Sequence, residues 1–509
     1  MKYLIKFIFN RVTYLITALA LQVAFIIAVL LKFRNHFMIS YGLSLFLGIL
    51  AVLWIINQNT NPSYKIAWIV LIFTLPVFGV LFYGFYEQSK LNKKTKNKMR
   101  AAIDKTREVL VPDQETMNRL LLQDENAANQ SRYILNYADC PAYDDTATAY
   151  FSSGEMMFRE LAREIKKAKR YIFLEYFIIA EGVMWNTILD ILKEKAAEGV
   201  DVRVIYDDMG CLRTLPYGYD KKLEAMGIKC CVFSPVTPII SSKLNNRDHR
   251  KITVIDGKTG FTGGINLADE YINEIEKYGH WKDTGIMLKG EAVWSLTVMF
   301  LSTWDYIKGI NEDFDSFREL SSGEKNINGF IQPYEDSPLD NEAVGETAYM
   351  NLINKAKRYI YITTPYLIIG NEMVTALTSA AKAGVDVRMI TPHCGDKWYV
   401  HEVTKSYYKT LVEGGVRIYE YTPGFIHSKT YVADDEYGIV GTINMDFRSL
   451  YLHFECGVWM YRSSCIGDMK EDFLKTMAKS QEITLNYFKN MRWYKTMAGS
   501  LLRVFAPLM

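Results

Sequence analysis

The chain has 509 residues, with 59 Lys and Arg against 57 Asp and Glu, for a net charge of +2. That length suits two or three domains, the charge excludes a generic polycation, and 49% hydrophobic with 14% aromatic residues excludes a globally disordered chain. Residues 1–89 carry six basic residues (Lys2, Lys6, Arg11, Lys32, Arg34, Lys65) and one acid, Glu87, so the remainder holds 53 basic and 56 acidic residues and is net −3. Seven cysteines (140, 211, 230, 231, 394, 456, 465) form no CxxC pair, which fits a reducing compartment better than a zinc site or a disulfide scaffold.

In chain order, the first expected elements are apolar helices. Val12 to Leu31 passes twenty residues without a charge, Phe37 to Ile56 is a second such run, and Ile66 to Phe85, interrupted by Pro76, is a third. At 1.5 Å per residue each matches a bilayer core, so residues 1–89 are expected to be a transmembrane anchor. Lys90 to Arg100 contains six basic residues and no acid, which predicts a multi-pass cell-membrane protein whose following domain is cytoplasmic. Three crossings satisfy the lengths better, and two satisfy the charges better. Residues 90–130 read as a basic, then polar, linker.

Beyond the linker the chain repeats itself. Ala168-Lys-Arg-Tyr-Ile172 returns as Ala356-Lys-Arg-Tyr-Ile360, and Gly199-Val-Asp-Val-Arg203 returns as Gly384-Val-Asp-Val-Arg388. A glycine-led strand follows in each half, Gly227-Ile-Lys-Cys-Cys-Val-Phe233 and Gly415-Val-Arg-Ile-Tyr419. Strands alternating with helices predict an α/β fold with a mostly parallel sheet. The expected domains are two duplicated α/β lobes, 131–325 and 326–509, sharing one cleft.

His249-Arg-Lys251, Asp256 and Gly263-Gly264-Ile-Asn266 recur as His427-Ser-Lys429, Asp434 and Gly441-Thr442-Ile-Asn444, every position offset by 178. On a strand, residues two apart share a face, so imidazole and ammonium point into one pocket. A lone His-x-Lys is usually a charged strand surface; two copies in register inside a duplication mark a site. A metal is disfavoured, because the lysine would set a cation beside a cation. A phosphodiester suits the set: lysines neutralise the non-bridging oxygens, one imidazole attacks phosphorus, and the other protonates the leaving alkoxide.

This doubled His-Lys-Asp pattern resembles that of the phospholipase D superfamily and, within it, the bacterial cardiolipin synthases. The likeness includes His-Arg-Lys-Ile-Thr-Val-Ile-Asp-Gly at 249–257, Thr-Pro-Tyr at 364–366, Gly-Phe-Ile-His-Ser-Lys at 424–429, Gly-Thr-Ile-Asn-Met-Asp-Phe-Arg-Ser at 441–449 and Ala-Pro-Leu at 506–508. The resemblance implies that His249 is the nucleophile, forming a phosphohistidine, and that His427 is the acid and base at the leaving and entering hydroxyls. It implies that Lys251, Lys429, Asn266 and Asn444 hold the phosphate, and that an acidic residue downstream orients each histidine. The matching carboxylates are Asp283, 34 residues after His249, and Glu455, 28 after His427. Asp256 and Asp434 belong to the motif and serve either proton transfer or the loop. His453 stands where the family pattern has Asn.

The implied reaction moves a phosphatidyl group from one phosphatidylglycerol to another, giving cardiolipin and glycerol without cofactor or metal. Water or another alcohol as acceptor would make the chain a phospholipase D or a headgroup exchanger. A tethered nuclease would want a basic groove, which a net charge of −3 over residues 90–509 does not favour, so no nucleic-acid partner is expected. A scaffold without activity is at odds with two intact motifs. The segment 487–509 mixes basic and apolar residues, and either lies in a membrane interface or packs on its own lobe.

Overall fold

A computed structural model of the chain describes residues 37–75, 104–236, 245–319, 329–340, 342–489 and 493–508, with isolated positions between 20 and 84. The first lobe contains β1 (Ala147–Phe151), β2 (Tyr171–Tyr176), β3 (Asp201–Asp207), β4 (Lys229–Phe233), β5 (Lys251–Ile255), β6 (Thr259–Gly263), β7 (His280–Lys282) and β8 (Gly285–Lys289). The second contains β9 (Phe330–Asp336), β10 (Tyr359–Thr363), β11 (Leu367–Ile368), β12 (Asp386–Pro392), β13 (Arg417–Tyr421), β14 (Gly424–Ile426), β15 (Thr430–Ala433), β16 (Tyr437–Gly441), β17 (Met445–Asp446), β18 (Glu455–Tyr461) and β19 (Ser480–Ile483).

The first sheet runs β1-β8-β6-β5-β2-β3-β4, and the second β19-β13-β12-β10-β15-β16-β18-β9. Read in opposite directions these are one order, with β19 added at an edge. The expected mostly parallel sheet is in fact mixed. Only β2–β3, β3–β4 and their counterparts β10–β12, β12–β13 pair parallel within the two main sheets. The reason is connection length: helices Val183–Ala197 and Asn371–Lys382 cross over between parallel strands, whereas β5 to β6 and β15 to β16 turn back in three residues, which forces antiparallel pairing.

That tight turn explains a motif residue. Asp256 and Gly257 have φ of +52° and +69°, and Asp434 and Asp435 have +57° and +64°; Lys258 N–H donates to the Ile255 carbonyl and Glu436 N–H to that of Ala433. Two successive left-handed residues closed by such a bond make the primed turn that matches strand twist, and Asp tolerates the conformation.

The lobes share one hydrophobic core. Leu288, Trp294 and Phe300 of the first half cluster with Ile331, Tyr349 and Val458 of the second. β7 pairs with β14 across the lobe boundary, Trp281 opposite Phe425, and Tyr143 bridges to Ile331. Since each half completes the other's core and sheet edges, their relative placement is fixed by packing rather than by a linker.

The expectation of N-terminal transmembrane helices is not met. Among the described residues no helix is long and apolar enough to cross a membrane, and the multi-pass membrane location and cytoplasmic side inferred from such helices fall with it. The run Val12–Leu31, apart from isolated positions, and the basic run Lys90–Arg100 lie outside the described residues. Within the third run the helix Pro62–Thr74 has 13 residues, about 20 Å at 1.5 Å each. It packs against helix Phe37–Asn57, burying Val52, Ile55, Trp68 and Ile72 in a small core of their own. Freedom from charge measures hydropathy, not what covers a side chain. This hairpin is tied to the second lobe, where Asn61 Nδ2 donates to Tyr451 Oη at 2.9 Å and Tyr64 packs edge-on to Phe447. Leu508 joins its small core, and Arg503 of helix Trp493–Phe505 lies over the Tyr407 ring at 4.0 Å, so the C-terminal segment packs on its own lobe.

Candidate active site

The two His-x-Lys segments enter β5 and β15 at the lobe boundary, and the backbone fixes both in the same way. His249 N–H donates to the Phe454 carbonyl at 2.9 Å, and His427 N–H to the Lys282 carbonyl at 2.7 Å. Phe454 and Lys282 immediately precede Glu455 and Asp283. Each histidine is therefore moored to the opposite lobe, one residue before a buried carboxylate.

The side chains follow this crossover. His249 Nδ1 lies 2.9 Å from both Glu455 carboxylate oxygens, and His427 Nδ1 lies 2.7 Å from Asp283 Oδ2. Counting from the nearest motif pairs Asp283 with His249 and Glu455 with His427; the structure exchanges them. Both imidazoles are 6% exposed and both carboxylates fully buried. Asp283 Oδ1 also accepts from Thr284 N–H, and the Thr442 hydroxyl donates to Glu455.

Gly264 and Thr442 are equivalent positions of the repeat, and their difference suits the two acids. A Cβ at Gly264 would stand 2.1 Å from Asp283 Oδ1, so the shorter acid needs the glycine. The longer Glu455 is instead gripped by the threonine hydroxyl. The sequence held this signal as a Gly/Thr exchange inside otherwise matching phrases.

Lys251 and Lys429 are buried beside the imidazoles, and each ammonium donates to the carbonyl of its own His249 or His427. Burial pushes the Lys251 amine down to about 8 and that of Lys429 to about 7, with Glu455 and Asp283 pulling them back up. Burial likewise pushes His249 down to about 3, aided by Lys251 against the pull of Glu455. His427 is pushed down to about 4 by burial and by Lys429, whose Nζ is 2.8 Å from its Nδ1. Against the upward push of burial, the His427 contact and the Lys429 ammonium hold Asp283 below the ordinary carboxylate range, and the contact with His249 holds Glu455 below it too. Both rings are thus neutral near pH 7. With Nδ1–H donating to a carboxylate, each presents an unprotonated Nε2 on its other side.

The remaining expected residues divide. Asn266 is buried near His427, but its carbonyl accepts from Ile178 N–H at 3.0 Å and its amide donates to Tyr271 Oη at 2.7 Å, so both ends are occupied. Asn444 donates to Ser449 Oγ at 3.1 Å, and its Oδ1 has no hydrogen-bond partner among the described residues. Asp256 and Asp434 are not brought to the imidazoles. Each lies past the far end of its strand, five residues or about 16 Å beyond the lysine. Asp256 accepts from the backbone N–H of Lys169, Arg170 and Tyr171, and Asp434 from those of Lys357, Arg358 and Tyr359. Their work is to pin the entry into β2 and β10.

Sequence reasoning missed the aromatic walls. Phe177 is edge-on to His249 with centroids 5.0 Å apart, while Tyr271, Trp281 and Phe425 surround His427 at 5.6 to 5.9 Å. These residues carry no motif signal. They lower the local dielectric and so strengthen every charge interaction in the pocket.

A duplicated fold that crosses two His-Lys pairs with two buried carboxylates defines a phosphotransferase of the phospholipase D superfamily. A family model described as "Cardiolipin synthase, PLD-like domain" matches residues 161–283 and 349–477, and one described as "Phospholipase_D-nuclease N-terminal" matches 46–85. The chain belongs to the phospholipase D superfamily, among its cardiolipin-synthase-like members. It is 34% identical to a cardiolipin synthase of Geobacillus kaustophilus, over 89% of this chain and 90% of that one. It is 43% identical to an uncharacterized protein of Streptococcus mutans, over 90% and 99%. The solved phosphatidylserine synthase of Haemophilus influenzae superposes with a TM-score of 0.54, over 75% of this chain and 98% of that one, at 16% identity, a likeness of fold.

Proposed function

We propose that the protein is a cardiolipin synthase, moving a phosphatidyl group from one phosphatidylglycerol to another through a phosphohistidine at His249. The observation that carries this reading is the crossover of His249 with Glu455 and His427 with Asp283, because it lets one phosphate meet both imidazoles. In the first step His249 Nε2 attacks phosphorus, the bond from phosphorus to the glycerol oxygen breaks, and His427 supplies that oxygen with a proton. An arriving phosphate anion raises the affinity of both rings for protons, which gives His427 the proton it needs. Glu455 stabilises the positive charge that develops on the His249 ring, and Lys251 and Lys429 neutralise the non-bridging oxygens.

In the second step the free hydroxyl of another phosphatidylglycerol gives its proton to His427 and attacks the phosphohistidine, releasing His249. One diester is exchanged for another, so no nucleotide is consumed. Relatives of similar length that bear the name cardiolipin synthase support this choice of substrate over nucleic acid.

Purified protein in phosphatidylglycerol vesicles, without CTP or divalent cation, tests it, with cardiolipin, glycerol and phosphatidate all quantified. One glycerol per cardiolipin is expected. Phosphatidate as the main product would make the chain a hydrolase instead, and no turnover of the lipid at all would refute the substrate class.

A further inference from the structure

His453 has no part in the transfer just described, yet it stands within the same corner. It lies on the loop before β18, and its Nδ1 is 3.5 Å from Glu455 Oε1 and makes no hydrogen bond among the described residues. Its ring is 5.4 Å from that of His249, centroid to centroid, and its side chain is 11% exposed. An almost buried imidazole with an unbonded nitrogen turned to a carboxylate costs stability unless something fills the gap.

One ligand atom from each of His249, His453 and Glu455 can be chosen so that all three lie within 4.8 Å of one another. A tetrahedral Zn²⁺ binds imidazole at about 2.0–2.1 Å and carboxylate at about 2.0–2.2 Å, which places its donors roughly 3.3–3.5 Å apart. The contacts of 2.9 Å from His249 Nδ1 to Glu455 and 3.5 Å from His453 Nδ1 to Glu455 bracket that spacing. Two imidazoles and one carboxylate form a set that zinc favours, and the fourth position is left for water. The Thr442 hydroxyl already fixes the carboxylate from behind, as the outer support of a metal ligand does.

We propose that His249, His453 and Glu455 form an inhibitory site for a divalent transition metal, with zinc the best fit, which shuts the nucleophile off when occupied. The consequence follows from the tautomer. A metal on His249 Nδ1 takes the lone pair there, so the single proton of the neutral ring must sit on Nε2. The nitrogen that would attack phosphorus then has no lone pair to offer, and the carboxylate that oriented the ring belongs to the metal. The neighbouring Lys251 ammonium opposes a second cation, so the site is one of modest affinity that a chelator clears.

The test uses the full-length protein and its His453→Asn variant, which keeps His249, Glu455 and both lysines. Equilibrium dialysis with Zn²⁺ should give one ion per wild-type chain, and Co²⁺ should give the visible absorption of a tetrahedral N/O site. Both should be lost in the variant, with His453→Gln as a second substitution should the first not fold. Transfer in phosphatidylglycerol micelles should be inhibited by Zn²⁺ and restored by EDTA. The inhibiting concentration should rise at least about tenfold in the variant, whose metal-free activity stays within a few-fold of wild type. Equal zinc binding by the variant and wild type, or an octahedral cobalt spectrum, would overturn the site. The activity arm rests on the phosphatidyl transfer proposed above; the binding and spectral arms do not, so failure of that reaction and failure of the metal site are read separately.

Discussion

Glu455→Gln isolates the contribution of the crossed carboxylate. Glutamine keeps the shape and an oxygen that can accept from His249 Nδ1, and it removes only the charge. When His249 attacks phosphorus its ring becomes cationic, at 2.9 Å from the carboxylate oxygens. At an effective dielectric of about 20, that contact is worth about 6 kcal/mol. The amide dipole retains part of it, which leaves an expected loss of about 3–5 kcal/mol, or a 10²- to 10⁴-fold fall in kcat at 1.36 kcal/mol per decade. KM should move little, because the ring is neutral when the lipid binds. Rapid-quench measurement with phosphate-labelled phosphatidylglycerol should show slower accumulation of label on the protein. The fold should be checked by circular dichroism, since the substitution also disturbs a bond from Thr442. A well-folded Glu455→Gln protein with kcat within tenfold of wild type would refute the role given to the crossover.

The other expectations are simpler. His249→Ala should abolish turnover while circular dichroism and melting stay near wild type, and cardiolipin made by that variant would contradict the nucleophile assignment. Asp256→Ala should cost stability, about 1–3 kcal/mol in urea titration, by stranding the backbone donors of residues 169–171. Its kcat per folded molecule should change less than tenfold; a hundredfold loss at unchanged stability would restore a chemical role for Asp256. Gly264→Ala should lower both melting temperature and kcat, because its Cβ would meet Asp283 Oδ1 at 2.1 Å, and wild-type values for both would show that the acid has room to move. Stability should also fall with acid. His249 and His427 titrate below the ordinary 6.5 in the folded chain, so the unfolded chain takes up protons first and stability declines as pH drops below about 6.5. The depressed Asp283 and Glu455 add to the loss below about 4.5, when the unfolded carboxylates protonate. A melting temperature independent of pH between 7 and 4 would contradict the neutral, buried imidazoles.

Much of this molecule was written into short stretches of chain. The phrases repeated at residues 168–172 and 356–360 announced two lobes, and the offset of 178 between His249 and His427 announced paired sites, because strand period and turn chemistry act over a few residues. The chemistry of His beside Lys was likewise local. The partner of each imidazole was not: spacing along the chain ties Asp283 to His249, whereas the fold gives it to His427, since lobe packing sets distances that no count of residues contains. The same holds for Asp256, whose place in the motif left proton transfer and loop-pinning both open and whose turn geometry makes it a pin. It holds again for the second and third uncharged N-terminal runs, where hydropathy is a property of residues but the pairing that buries Val52, Ile55, Trp68 and Ile72 in a helical hairpin against the second lobe is decided only when the chain has folded.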